Sequence, residues 1–162
     1  PQITNYTTIW MDSLRDGKSE LVNTNKIIRN YKGATGLKTG STSLALYNLS
    51  ASATRDNLSL IAVIMKAPST KVRFAEAQKL LDYGFANFSY KILAQKGDII
   101  KNIPVNKGVQ SNVDVAVAEN CGTIIKKGEE TNISQTISLP DTISAPISSN
   151  QILGSLTFVN RF

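Results

Sequence analysis

The spacing of hydrophobic and polar positions changes twice along this chain. From Leu44 to Thr54 they alternate, and Leu58 to Met65 (LSLIAVIM) is an almost wholly apolar run between Asp56-Asn57 and Pro68. Alternation marks a strand with one covered face, and a short apolar run between turn residues marks a buried strand. With Asp56-Asn57 as the turn, the two segments read as adjacent antiparallel strands. The period then becomes helical: Phe74, Ala77 and Leu81, joined by Leu80, share one face of a helix over Lys71 to Tyr83, a stripe expected to pack on the sheet. Ser69 or Thr70 caps this helix, and Gly84 is its stop signal. Residues 1–32 show neither period. They read as an extended or loop-rich entry, with turns at Asp16-Gly17 and in NTNK (Asn23 to Lys26), a structural loop with no assigned role.

From about Ser89 the texture becomes short Val/Ile/Thr runs separated by Lys96-Gly97-Asp98, Asn106-Lys107-Gly108, Lys127-Gly128 and Pro140-Asp141. Turn signals at that spacing predict a small antiparallel sandwich. The boundary falls between residues 86 and 92, giving an α+β region over 1–88 and an all-β domain over 89–162. A chain of 162 residues, 41% of them hydrophobic, can fill two small domains.

Chemistry concentrates in GATGLKTGSTS, residues 33–43, where a Gly-rich turn (Gly33, Gly36) delivers Lys38, Thr39, Gly40 and Ser41 onto an extended segment. Gly40 has no β-carbon, so another backbone can lie close while neighbouring N–H groups stay free to donate. Lys38 and Thr39 alternate in direction and flank one stretch of edge. An extended peptide ending in a carboxylate could pair there. Lys-Thr-Gly alone is equally what a surface turn between two strands contains.

The surrounding sequence adds weight. LVNTNKIIRNYKGATGLKTGSTS, then YNLSASATRDNLSLIAVIM, then APSTKVRFAEAQKLLDYGF, resemble the closing half of the catalytic domain of low-molecular-mass penicillin-binding proteins of the D-alanyl-D-alanine carboxypeptidase family. The tail SAPISSNQILGSLTF resembles the end of the β-rich domain that follows it. The resemblance implies a partial serine β-lactamase/DD-peptidase-like antiparallel sheet with a packed helix, followed by the β-rich domain. It also implies removal of the terminal D-Ala from peptidoglycan stem peptides through an acyl-enzyme, β-lactam antibiotics as covalent ligands and an extracytoplasmic, cell-wall location. By the same resemblance Lys38 sits beside the nucleophile and Thr39 bonds the substrate carboxylate. Gly40 keeps the edge open, the Ser41 amide supplies one oxyanion donor, and Arg73 anchors the carboxylate with Thr39, a bidentate task that Lys cannot reproduce. As a plain residue Arg73 would be a surface cation at a helix N-terminus, where the dipole disfavours it.

Composition narrows the alternatives. There is no histidine, so neither a Ser-His-Asp system nor an imidazole zinc site can be built from this chain. One cysteine, Cys121, allows no internal disulfide and reads as a packed or incidental thiol; no cofactor or metal is expected. The net charge of +6 is spread along the sequence without interleaved aromatics, which argues against nucleic acid and suits attraction to anionic wall polymers. No apolar run reaches membrane-span length, no charged-then-apolar leader opens the chain, and Pro1-Gln2-Ile3 does not read as a natural start. No amphipathic anchor is recognised before Phe162.

Two departures stand out against the resemblance. Ala45-Leu46-Tyr47 carries Leu where the family commonly has Gly, and a branched side chain there could crowd a close approach. The Ser-x-x-Lys and Ser-x-Asn elements lie upstream in that family and nothing here replaces them; Ser13-Leu14-Arg15-Asp16 and Ser89-Tyr90-Lys91-Ile92, for instance, have the wrong spacing and position. The chain therefore reads as a fragment lacking the nucleophile. It should expose an apolar sheet face and associate with the absent N-terminal half, with itself, or with another chain. A non-catalytic wall-binding or protein-interaction module is the alternative reading.

Overall fold

A computed structural model describes residues 2–129 and 132–160; Pro1 and Phe162, on which the readings of the chain's two ends turn, lie outside the described residues. The chain divides into two compact units, residues 1–89 and 90–162. The architecture is α+β in the first unit and β-rich in the second.

The first unit centres on a three-stranded antiparallel meander: β3 (Ala34–Thr42), β4 (Leu46–Arg55) and β5 (Leu58–Ala67), in the order β3-β4-β5. Asp56 and Asn57 make the expected turn, both at positive φ (47° and 64°), which Asn and Asp tolerate better than other non-glycine residues. Leu49, Ala51 and Ala53 of β4 and Ala62 of β5 line one face, buried with Ile27 of helix α1 (Ile27–Asn30) and with Ala77 and Leu81 of helix α2 (Thr70–Asn87). Alanines on the facing surfaces let helix and sheet approach closely. The entry is less loop-like than expected, because β1 (Met11–Leu14) and β2 (Ser19–Val22) pair as a hairpin around Asp16-Gly17. All eight strand residues are exposed, so no buried face stamped a period on the sequence.

Several expectations need correction. The Leu58–Met65 run is an edge strand rather than a buried one: Ile61, Val63 and Met65 point away from α2, and Met65 is 78% exposed. Ser69 caps α2 as expected, its Oγ accepting from the Val72 N–H at 3.2 Å. Gly84, however, does not stop the helix, which continues to Asn87. A β-carbon there would come within 2.5 Å of Leu60 Cδ1, so this glycine serves close helix–sheet packing. The buried stripe is Arg73, Ala77, Leu81 and Gly84, whereas Leu80 is exposed.

The second unit is built from β6 (Phe88–Ala94, which begins at the unit boundary), β7 (Ile99–Asn106), β8 (Asn112–Ala116), β9 (Cys121–Lys126), β10 (Ile133–Ser138), β11 (Ile143–Ser144) and β12 (Ser155–Asn160). β6 pairs with β9, β7 with β8, and β10 with β12. The β7–β8 and β10–β12 pairs are antiparallel, whereas β11 pairs with β7 in parallel over two residues. Ala94, Ile103 and Ile125 are its buried apolar residues. Cys121 is exposed, not packed.

Candidate functional site

β3 lies at one edge of the meander, and among the described residues no strand pairs with its outer side. Gly33 turns the chain into it at φ +78°, and a β-carbon there would collide with the Thr54 carbonyl. Gly36 sits at a register shift opposite β4, where a side chain would run into Thr7 at 2.6 Å. Thr7 Oγ1 donates to the Thr35 carbonyl at 2.6 Å and so covers the first part of the strand. Beyond that cover come Lys38, Thr39, Gly40 and Ser41, paired across the ladder with Ser50, Leu49, Asn48 and Tyr47.

Register assigns each residue to a face. Lys38 shares its face with Ser50 and, through it, Val63 of β5, the side away from α2. It is exposed and its Nζ donates to the Thr39 carbonyl at 2.7 Å. Thr39 points to the opposite side, 7% exposed, with its Oγ1 2.6 Å from Thr24 Oγ1. A β-carbon on Gly40 would meet nothing within 4 Å, so the strand is open at that position. Ser41 is exposed beside it.

Arg73 reaches the same edge from α2. It is not the surface cation that its helix position suggests, being only 6% exposed. Its Nη1 donates to the carbonyls of Asn48 at 3.2 Å and Gly40 at 3.4 Å, and its guanidinium lies over the rings of Phe74 (4.9 Å) and Tyr47 (5.6 Å). Its buried Nε has no hydrogen-bond partner. The ion pairs formed among the described residues are Lys79–Glu76, Lys101–Asp141 and Lys126–Glu129, so neither Lys38 nor Arg73 is matched by a carboxylate. A buried cation held by neutral carbonyls and aromatic faces is costly without a counter-ion. Two cations thus reach the Thr39–Gly40 edge from opposite faces of one sheet.

The structure therefore brings all five expected residues, Lys38, Thr39, Gly40, Ser41 and Arg73, to one strand edge. It adds three that sequence reasoning missed. Asn48 presents its carbonyl to Arg73, while its side chain donates to the Ala45 carbonyl and accepts from the Lys66 N–H, tying the β3–β4 turn and the end of β5 to the site. Thr24 and Asn25 come from the NTNK loop that was set aside as structural. A cleft of about 310 Å³ runs between that loop and the edge, lined by Tyr6, Val22, Thr24, Lys38 and Thr39 among others. The two Asn residues bracketing Thr24 are the sequence signal that could have flagged a shaped loop.

Leu46, the departure from the family pattern, begins β4 opposite Thr42 with φ +51°. The backbone keeps the left-handed conformation that suits glycine, and Leu adopts it at a cost. Away from the site, Tyr31 donates to Asp82 Oδ1 at 2.6 Å, fastening the end of α1 to α2. Burial and that bond push its phenol up to about 12. Among the described residues no cluster of His, Cys, Asp and Glu could hold a metal, and no helix is long and apolar enough to cross a membrane.

Comparison with known proteins places this geometry. The family model described as D-alanyl-D-alanine carboxypeptidase matches residues 1–69, and that of the penicillin-binding protein 5 C-terminal domain matches residues 88–160. The chain is 39% identical to the D-alanyl-D-alanine carboxypeptidase DacF of Bacillus subtilis over 158 residues, 95% of this chain and 41% of that protein. It is 36% identical to DacA of Haemophilus influenzae over 76% of this chain and 32% of the relative. Among solved structures, penicillin binding protein 5 from Haemophilus influenzae superposes with a TM-score of 0.72 at 29% identity, over 97% of this chain and 46% of that one. The chain spans less than half the length of the curated relatives it matches. With both halves matched in order by the two models, the chain belongs to the low-molecular-mass penicillin-binding protein family of D-alanyl-D-alanine carboxypeptidases.

Proposed function

We propose that this chain is the carboxylate-gripping part of a serine-type D-alanyl-D-alanine carboxypeptidase that trims peptidoglycan stem peptides outside the cytoplasm. Residues 1–88 are assigned to the closing half of its catalytic domain and residues 89–162 to its β-rich C-terminal domain. The observation that carries this reading is Arg73, a buried guanidinium without a carboxylate partner, bonded to the Gly40 carbonyl of an open strand edge.

In this reading the peptide lies along β3 with its terminal carboxylate at Thr39 and Arg73. Lys38 supplies positive potential toward a serine contributed from outside this chain. That serine attacks the penultimate D-Ala carbonyl, the oxyanion accepts from the Ser41 N–H, and terminal D-Ala leaves as the acyl-enzyme forms. Water then hydrolyses the acyl-enzyme, and a β-lactam acylates the same serine. Chemistry needs the remainder of the protein, so the chain alone is inactive. The face of the sheet carrying Ile61, Val63 and Met65 is where that remainder is assigned to seat.

The test is D-Ala release by the full-length protein. Arg73→Ala should lower kcat/KM about a hundredfold, since it removes charge-assisted bonds to a carboxylate, and Arg73→Lys should recover only part of this. If Arg73→Ala and Lys38→Ala both release D-Ala within twofold of wild type while melting normally, the site assignment fails. Failure of labelled penicillin to acylate the full-length protein would favour a wall-binding or interaction module.

A further inference from the structure

Thr39 does not stand alone at the edge. Its hydroxyl is 2.6 Å from that of Thr24, a residue 15 positions earlier in a loop outside the sheet. That loop is held from both sides. Asn23 donates through Nδ2 to the carbonyls of Ile9 (3.0 Å) and Thr7 (3.3 Å), and its Oδ1 accepts from the Asn25 N–H at 2.9 Å. Asn25, 1% exposed, accepts at Oδ1 from the Ile27 N–H, the first residue of α1. Thr24 is thus presented by a braced three-residue arc, and its contact with Thr39 is a product of that bracing.

The chemistry of the pair has a direction. A hydroxyl has one hydrogen to give and can accept two, whereas a carboxylate only accepts. A Thr24–Thr39 pair can therefore serve a carboxylate at Thr39 in one arrangement only: Thr24 donates to Thr39, and Thr39 donates outward. Such a chain polarises each member, so the outer bond is stronger than that of a lone threonine. With Thr24 absent, the Thr39 hydrogen is free to turn toward other acceptors, and ligand binding must bear the cost of aligning it.

We infer that Thr24 is a positioning residue, acting through Thr39 by directing the Thr39 O–H toward the terminal carboxylate of the peptide. The inference rests on the carboxypeptidase reading above, and its test separates the two. In the full-length protein, with a short N-acylated peptide ending in D-alanyl-D-alanine, Thr24→Val keeps the shape and removes the hydroxyl. The expected result is a three- to tenfold fall in kcat/KM, carried mainly by KM, with Thr24→Ser returning it to within twofold of wild type. Because Thr24 acts only through Thr39, the Thr24→Val/Thr39→Val double variant should be no worse than Thr39→Val.

An unchanged KM in Thr24→Val, no rescue by Ser, or a double variant that loses the product of the two single losses would overturn the inference while leaving the carboxypeptidase reading standing. A wild-type protein that releases no D-Ala would overturn both.

Discussion

The two faces of the β3–β4–β5 sheet use alternate residues of the same strands and come to opposite ends. On the α2 side, Leu49, Ala51, Ala53 and Ala62 are all at most 4% exposed and pack on Ala77 and Leu81. On the other side, Ser50 and Ser52 stand opposite Val63 and Ile61, and these two apolar residues are 59% and 66% exposed. Burial of apolar surface stabilises a fold only where something covers it. The covered face therefore holds this unit together, and the open one is available to hold it to something else. Lys38 lies on the open side and Arg73 on the covered side, so the site straddles the boundary between the two roles.

That contrast can be broken most severely on the covered face. Leu49→Ala should cost about 2–5 kcal/mol, because it removes buried methyl groups and leaves a cavity between sheet and helix. Val63→Ser, one strand over on the open face, should change the stability of this chain by no more than about 0.5 kcal/mol. In the full-length protein the second substitution should become costly if the rest of the protein seats on that face. Urea unfolding of both variants in both contexts checks this, and a Val63→Ser that stays neutral in the longer protein would deny the open face its partner.

A smaller effect sharpens how the covering elements are held. Tyr31 donates to Asp82, and its pKa lies at about 12 against an ordinary 10.0 because burial and that bond disfavour the phenolate. A folded-state pKa above the unfolded one means the stabilisation is complete below pH 10 and is lost as pH rises toward 12. Tyr31→Phe should therefore be less stable than wild type at pH 8, with the gap closing across that window. Melting temperatures measured in steps from pH 8 to 11.5 would show it; a gap independent of pH would mean the phenol contributes through packing alone.

Local chemistry was legible in the sequence, and long-range contact was not. The Ser69 cap and the Asp56-Asn57 turn are set by residues within a few positions of each other, and both form as read. Gly84 was misread because a glycine that ends a helix and one that admits a neighbour look alike until Leu60 is seen against it. The β1–β2 hairpin escaped because a strand exposed on both faces carries no periodic signal. Within the site, residue types told of Lys38 to Ser41. The partnerships of Thr39 with Thr24, and of Arg73 with the Asn48 carbonyl, depend on chain segments 15 and 25 residues apart. No composition or period encodes those.

Leu46 tests the smallest of these terms, the fit of one residue to its own backbone. It stands at φ +51° where the strand restarts opposite Thr42, next to Tyr47, whose ring contacts Arg73. A left-handed Leu carries a strain of about 1–2 kcal/mol that glycine lacks. Glycine offsets part of the gain by freeing the unfolded chain, by roughly 0.4–1 kcal/mol. Leu46→Gly should thus leave stability unchanged or raise it by up to about 1 kcal/mol, read as a small rise in melting temperature. A loss of more than about 1 kcal/mol would show that the half-buried Leu46 side chain contributes more by packing than its backbone gives up, and that this chain has adapted the β3–β4 turn to a larger residue.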